Sequence, residues 1–102
     1  MLRFDFPGQT ALVTGGTRGI GRAISEAFLN AGARVIAIYS GNEAAANEFK
    51  AASSQHEGRL DTRKCDVSSY EQVEQLFKAL EKDYPDGVDV LVNNSGIRKD
   101  AV

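Results

Sequence analysis

Between Thr14 and Arg22 the chain reads TGGTRGIGR, four glycines in nine residues. Glycine brings no reactive side chain, so the chemistry on offer there belongs to the main chain. Free N–H groups at a helix start can point at an anion, and missing Cβ atoms let a diphosphate come close. A Cβ at Gly15, Gly19 or Gly21 would obstruct the turn, the ligand or the packing of helix on strand. The spacing is T-G-x-x-x-G-x-G. A Walker A loop has the same separation as Gly16 and Gly21 but needs a lysine and a hydroxyl next, where Arg22 and Ala23 stand; G-x-G-x-x-G is not matched either. A second polar cluster, Asn93-Asn94-Ser95-Gly96, lies near the other end of the chain.

Other chemistries find little to work with. One cysteine, Cys65, and one histidine, His56, leave no set for structural zinc and no Cys/His nucleophile pair. His56 sits in the polar stretch SSQHEG and reads as a loop residue, and the acidic DYPDGVD lacks calcium-loop spacing. Twelve basic against fourteen acidic residues give a formal charge of -2, which argues against nucleic acid or anionic membrane as partner. The longest apolar runs are strand-sized, well short of the roughly 20 residues of a membrane helix, and MLRFDFPGQT has charges and a proline where a signal peptide needs an apolar core. A lone cysteine cannot close an internal disulfide, so a reducing, cytoplasmic setting is expected.

The elements that must position the glycines follow from two alternating periodicities. TALVTG is a short buried strand ended by glycine, and Ile20, Ala23, Ile24, Ala27, Phe28 and Ala31 then recur at helical spacing on one face. Gly32 supplies a left-handed stop. ARVIAIYS is a second buried strand; Asn42 caps a helix over EAAANEFKAASS, whose Ala45, Phe49 and Ala52 share a face. RLDTRKCDV is a more polar third strand, expected near a sheet edge. Ser68 and Glu71 form a capping box, and Val73, Leu76, Phe77, Leu80 and Tyr84 line the third helix. YPDG breaks it, and VDVLVNN reads as a fourth buried strand.

Strands alternating with helices imply right-handed crossovers and a parallel sheet covered on both faces. The expected architecture is α/β, a Rossmann-type doubly wound sheet of order 3-2-1-4 over a single domain, residues 1–102. Its winding reverses between strands one and four, where ligands bind beyond the carboxyl ends. TGGTRGIG and NNSG both fall there.

With these residues in place, the chain resembles the short-chain dehydrogenase/reductase family. TGGTRGIG matches that family's cofactor motif, CDV from Cys65 to Val67 its adenine-contacting segment, and NNSG its N-N-A-G motif with Ser95 in place of alanine. Within the family TRGIGRAI, YSGNEAAANEF and NNSGIRKDAV look most like the NADPH-dependent 3-oxoacyl-acyl-carrier-protein reductases. The resemblance implies a nicotinamide dinucleotide held by Thr14, Gly15, Thr17, Arg18, Gly19, Ile20 and Gly21. It places Asp66 and Val67 at the adenine, and Asn93, Asn94, Ser95 and Gly96 at the ribose side and strand end.

Charge argues for NADP(H). NAD sites place a carboxylate about 20 residues past the glycine loop to bond the ribose 2'-OH. Tyr39 and Ser40 hold that place here, and Arg18 can offer its fork to a 2'-phosphate. The family's chemistry also needs a serine and a Tyr-x-x-x-Lys pair. The residues four after Tyr39, Tyr70 and Tyr84 are Glu43, Glu74 and Val88, so no catalytic residue is assigned. The expectation is the amino-terminal, cofactor-binding half of a reductase, inactive alone, with acyl carrier protein a partner only of a full-length parent. Alternatives are a stand-alone nucleotide-binding or interaction module, or another short-chain dehydrogenase acting on sugar or steroid alcohols. Strand four should form an open edge, with Val90 and Val92 lacking cover and self-association a consequence.

Overall fold

The structure is a computed structural model describing residues 5–56 and 58–94. Four parallel strands, β1 (Thr10–Thr14), β2 (Arg34–Tyr39), β3 (Leu60–Lys64) and β4 (Val90–Val92), alternate with α1 (Gly19–Asn30), α2 (Glu43–Ala52) and α3 (Tyr70–Asp83); a 3-10 turn covers Ser54–His56. The sheet order is β3-β2-β1-β4, as the alternation predicts. Leu12 of β1 stands opposite Ile36 and Leu91, and Val13 opposite Ala37 and Val92.

Because side chains alternate along a strand, this register separates two cores. Leu12, Ile36, Ile38 and Cys65 meet Leu80 of α3 on one face. Val13, Val35 and Ala37 meet Leu29 of α1 and Phe49 of α2 on the other. Asp89 fixes the start of β4 on β1, accepting from the Thr10 amide at 2.9 Å and donating its own N–H to the Thr10 carbonyl at 2.8 Å. The carboxyl ends of β1, β2 and β4 therefore open at one rim.

Five local expectations are corrected. On α1 the buried stripe is Gly21, Ser25 and Leu29, with Ile24 and Phe28 half-buried; Ile20, Ala23 and Ala27 face outward, Ile20 at 75% exposure. Small residues let the helix lie directly on main chain, where the Ser25 hydroxyl donates to the Gly16 carbonyl at 3.0 Å. That close approach, not side-chain size, sets the rotation. On α2, Ala46 joins Phe49 in the core, while Ala45 is half-buried and Ala52 exposed.

The cap of α3 is Ser69, not Ser68: its hydroxyl accepts from the Gln72 amide at 3.2 Å. Ser68 is drawn into a turn by Asp66 Oδ1, which accepts from its N–H at 3.0 Å and its hydroxyl at 2.6 Å. Gln72 in turn accepts from the Asp66 amide at 2.8 Å while the Ser69 N–H goes to the Asp66 carbonyl at 2.9 Å, so the cap moves one residue along without the reciprocal bond of a capping box. Phe77, expected inward, is 51% exposed. β4 is only three residues long, and its Leu91 is 65% exposed while Val90 and Val92 are half-buried. Val92 leans on the second core, so the bare apolar group at this edge is Leu91 rather than the two valines.

The remaining boundaries follow the expected chemistry. Gly32, at φ +94, closes α1 with the Ala33 N–H on the Phe28 carbonyl and the Gly32 N–H on that of Leu29, each at 3.0 Å. Asn42 caps α2 by accepting from the Ala45 amide at 2.9 Å. β3 is an edge strand, and its inner face is partly ionic: Asp61 accepts from Arg63 at 2.9 Å and from the Tyr84 hydroxyl at 2.7 Å. Burial and then the bond to Asp61 push the Tyr84 hydroxyl up to about 12.

Candidate functional site

Thr14 ends β1, four residues turn the chain, and α1 starts at Gly19. Gly15 and Gly19 have φ +61 and +59, left-handed backbone that side-chain-bearing residues avoid. Nothing lies within 4 Å of a Cβ built at Gly19, so the cradle is open there, whereas one at Gly21 would collide with the Gly15 carbonyl. Gly16, given no role from sequence, is equally constrained. Its Cβ would lie 2.8 Å from the Val13 carbonyl and 2.9 Å from Ser25 Oγ, and its N–H donates to Ile38 at 3.1 Å.

Arg18 occupies the N-cap in extended conformation, with no side-chain cap and no acidic residue in the first turn. The amides of Gly19, Ile20 and Gly21 precede the first i-4 bond, which Arg22 makes to the Arg18 carbonyl. The positive end of α1 thus meets solvent without a carboxylate to neutralise it. Arg18 makes no side-chain ion pair among the described residues. Arg22 is turned the other way, paired with Glu26 at 3.2 Å and stacked 5.0 Å from the Phe49 ring.

A cleft of about 1120 Å³ opens at this rim. It brings together Gly15, Thr17, Arg18, Gly19, Tyr39, Ser40 and Asn94 of the residues singled out from sequence. Gly41, Asn42, Glu43 and Ala44 also line it and were not foreseen. Glu43 matters most, because it puts a carboxylate into a cleft read as free of them; it is held by Lys64 Nζ at 3.2 Å. The signal was present, since an acid just after the Asn42 cap suits a helix start.

The other singled-out residues stand around the cleft rather than in its lining. Thr14 is a pin: its hydroxyl accepts from the Asn94 N–H at 2.8 Å and faces the Val92 carbonyl at 3.4 Å and Asn93 Oδ1 at 3.3 Å. Asn94 Nδ2 adds a bond to the Gly15 carbonyl at 3.3 Å, tying β4 to the glycine turn. Gly21 supports the turn from below, and Ile20 projects into solvent. Asp66 and Val67 are exposed past the end of β3, and the Ser68 hydroxyl and amide hold the Asp66 carboxyl below the usual carboxylate range. Burial, then the nearby Asp66 charge, raises the Cys65 thiol. Ser95 and Gly96 lie outside the described residues.

The open Gly19 cradle, the uncapped helix start and the Arg18 fork fit a phosphorylated nucleotide. A family model described as short chain dehydrogenase matches residues 9–102. An acetoacetyl-CoA reductase of Shinella zoogloeoides is 50% identical over 94 residues, 92% of this chain and 36% of that protein. The 3-oxoacyl-acyl-carrier-protein reductase FabG of Aquifex aeolicus is 36% identical over 99 residues, 97% of this chain and 40% of that one. Among solved structures, a Pseudomonas aeruginosa RhlG/NADP active-site complex superposes with a TM-score of 0.80 at 37% identity, covering 92% of this chain and 37% of that one. The chain spans little more than a third of the length of the curated relatives it matches. No helix among the described residues is long and apolar enough to cross a membrane.

Proposed function

The chain belongs to the short-chain dehydrogenase family, and on that premise we propose that residues 1–102 form the NADP(H)-binding portion of an oxidoreductase that reduces a 3-oxoacyl thioester to the 3-hydroxyacyl form. The observation that carries this reading is a single cleft lined by Arg18, Tyr39 and Ser40 together with the uncapped start of α1. When bound, the dinucleotide supplies the hydride. The chain's own residues bind and orient it. The main chain from Gly15 to Gly19 and the amides at the head of α1 seat the diphosphate. Arg18 takes the 2'-phosphate with its planar fork, beside Tyr39 and Ser40 at the end of β2. Asp66 and Val67 receive the adenine edge, and Asn93, Asn94, Ser95 and Gly96 bound the ribose and the strand end.

The sequence holds no Tyr-x-x-x-Lys, so proton delivery to the substrate is assigned to none of these residues, and the 102-residue chain is expected to bind without turnover. Acyl carrier protein is the proposed carrier for a full-length parent. A coenzyme A thioester is the second reading, supported by the 50% identity to an acetoacetyl-CoA reductase. Exposed Leu91 on the short β4 edge supports self-association there. The lone cysteine supports a cytoplasmic setting.

Calorimetric titration of the chain with 2',5'-ADP, 5'-AMP and NADPH tests the reading. The described partners serve the adenosine and phosphate groups, so 2',5'-ADP is expected to bind within tenfold of NADPH, about 1.4 kcal/mol, and more tightly than 5'-AMP. Failure of all three to bind would leave an interaction domain with a vestigial turn.

A further inference from the structure

The cleft contains a charge that opposes its proposed ligand. Tyr39 and Ser40 hold the place where a carboxylate would accept from a ribose 2'-hydroxyl, yet Glu43, just across the turn at the head of α2, lines the same cleft. The sheet register sets Lys64 directly opposite Tyr39, at the same rim. From there its Nζ reaches Glu43 Oε2 at 3.2 Å. Both side chains are more than half exposed, 56% for Lys64 and 60% for Glu43, so the pair adds little to folding stability. Its effect falls on whatever enters the cleft.

Resting on the reading of this cleft as a nucleotide site, we propose that the Glu43–Lys64 pair sets how strongly it prefers a 2'-phosphate over a bare 2'-hydroxyl. Glu43 is the discriminating group, and Lys64 is a positioning residue that masks it. With Lys64 in place the carboxylate is neutralised and turned aside, and a phosphate dianion can enter beside Arg18. Freed from Lys64, the same carboxylate repels the phosphate and becomes an acceptor for a hydroxyl, the arrangement that favours the cofactor without the phosphate.

The test measures the ratio of affinities for 2',5'-ADP and 5'-AMP by calorimetry at low ionic strength, with far-UV circular dichroism confirming the fold of each variant. Lys64→Gln is expected to lower the ratio about threefold, the scale of one exposed ion pair. Glu43→Gln should change it by less than that factor, since the carboxylate it removes is already masked, and the double variant should match Glu43→Gln, because Lys64 acts only through the carboxylate. A loss on Lys64→Gln that persists in the Glu43→Gln background would mean that Lys64 touches the phosphate itself and would overturn the masking role. An unchanged ratio in Lys64→Gln would overturn the proposal while leaving the nucleotide site intact. If the unsubstituted chain binds neither nucleotide, the proposal falls together with the reading beneath it. An unfolded Lys64→Gln would also count against it, since so exposed a pair cannot be required for folding.

Discussion

Gly21→Ala sets two opposing effects against each other. In an exposed helix, alanine is favoured over glycine by about 0.5–1 kcal/mol. At position 21 the added Cβ would be driven into the Gly15 carbonyl and would also stand 2.8 Å from Asn94 Nδ2. Neither neighbour gives way cheaply, because Gly15 is main chain at φ +61 and the Asn94 amide is bonded to that same carbonyl. Overpacking costs about 1–3 kcal/mol, and obstruction by backbone belongs at the upper end. Net of the propensity gain, the variant should lose about 2 kcal/mol. In a domain of this length that lowers Tm by roughly 10 °C. Relief requires lifting the glycine turn from α1, so 2',5'-ADP affinity should fall even where the variant is fully folded. Gly19→Ala is the comparison: it has open space beside it but φ +59, so it should cost only about 1–2 kcal/mol of backbone strain. Thermal melts followed by circular dichroism, with nucleotide titration below the transition, decide the matter. A Gly21→Ala protein that melts at or above the unsubstituted chain and binds equally well would refute the account of why this glycine is there.

Three further outcomes are expected. Arg18→Ala should weaken NADPH by about 1.5–3 kcal/mol, the scale of a charged hydrogen bond, and leave NADH nearly unchanged; equal losses in parallel titrations would remove Arg18 from the 2'-phosphate. Leu91→Lys should reduce self-association in sedimentation velocity, and an unaltered distribution would acquit the β4 edge. Tyr84, raised from 10.0 to about 12, stabilises the fold in its neutral form, so its contribution is complete below pH 10 and is lost as pH rises towards about 12. Tyr84→Phe should therefore show a flatter alkaline stability curve across that window, and parallel denaturation curves would exclude the effect.

The element order, the strand order and the rim that gathers the glycine turn with Tyr39, Ser40 and Asn94 were all legible in the sequence, because each rests on local periodicity or turn chemistry. What was not legible depends on which of several possible contacts wins once the chain is folded. Ile20, Ala23 and Ala27 repeat at helical spacing, yet Gly21 and Ser25 face inward, since closeness to main chain outranks side-chain burial at that contact. Ser68 and Glu71 satisfy the capping pattern, but the Asp66 carboxylate competes for Ser68 and passes the cap to Ser69. Glu43 reads as an ordinary first-turn acid until β3 brings Lys64 beside it. Leu91 looks like core because the pattern of β4 does not reveal that its outer flank lies bare.

The Thr14 hydroxyl joins two places that lie far apart in sequence, the entry to the glycine turn and Asn94 just past the end of β4. One oxygen serves as the hinge pin for both. With the Asn94 side chain also bonded to the Gly15 carbonyl, the end of β4 takes its position directly from the glycine turn rather than through the body of the sheet.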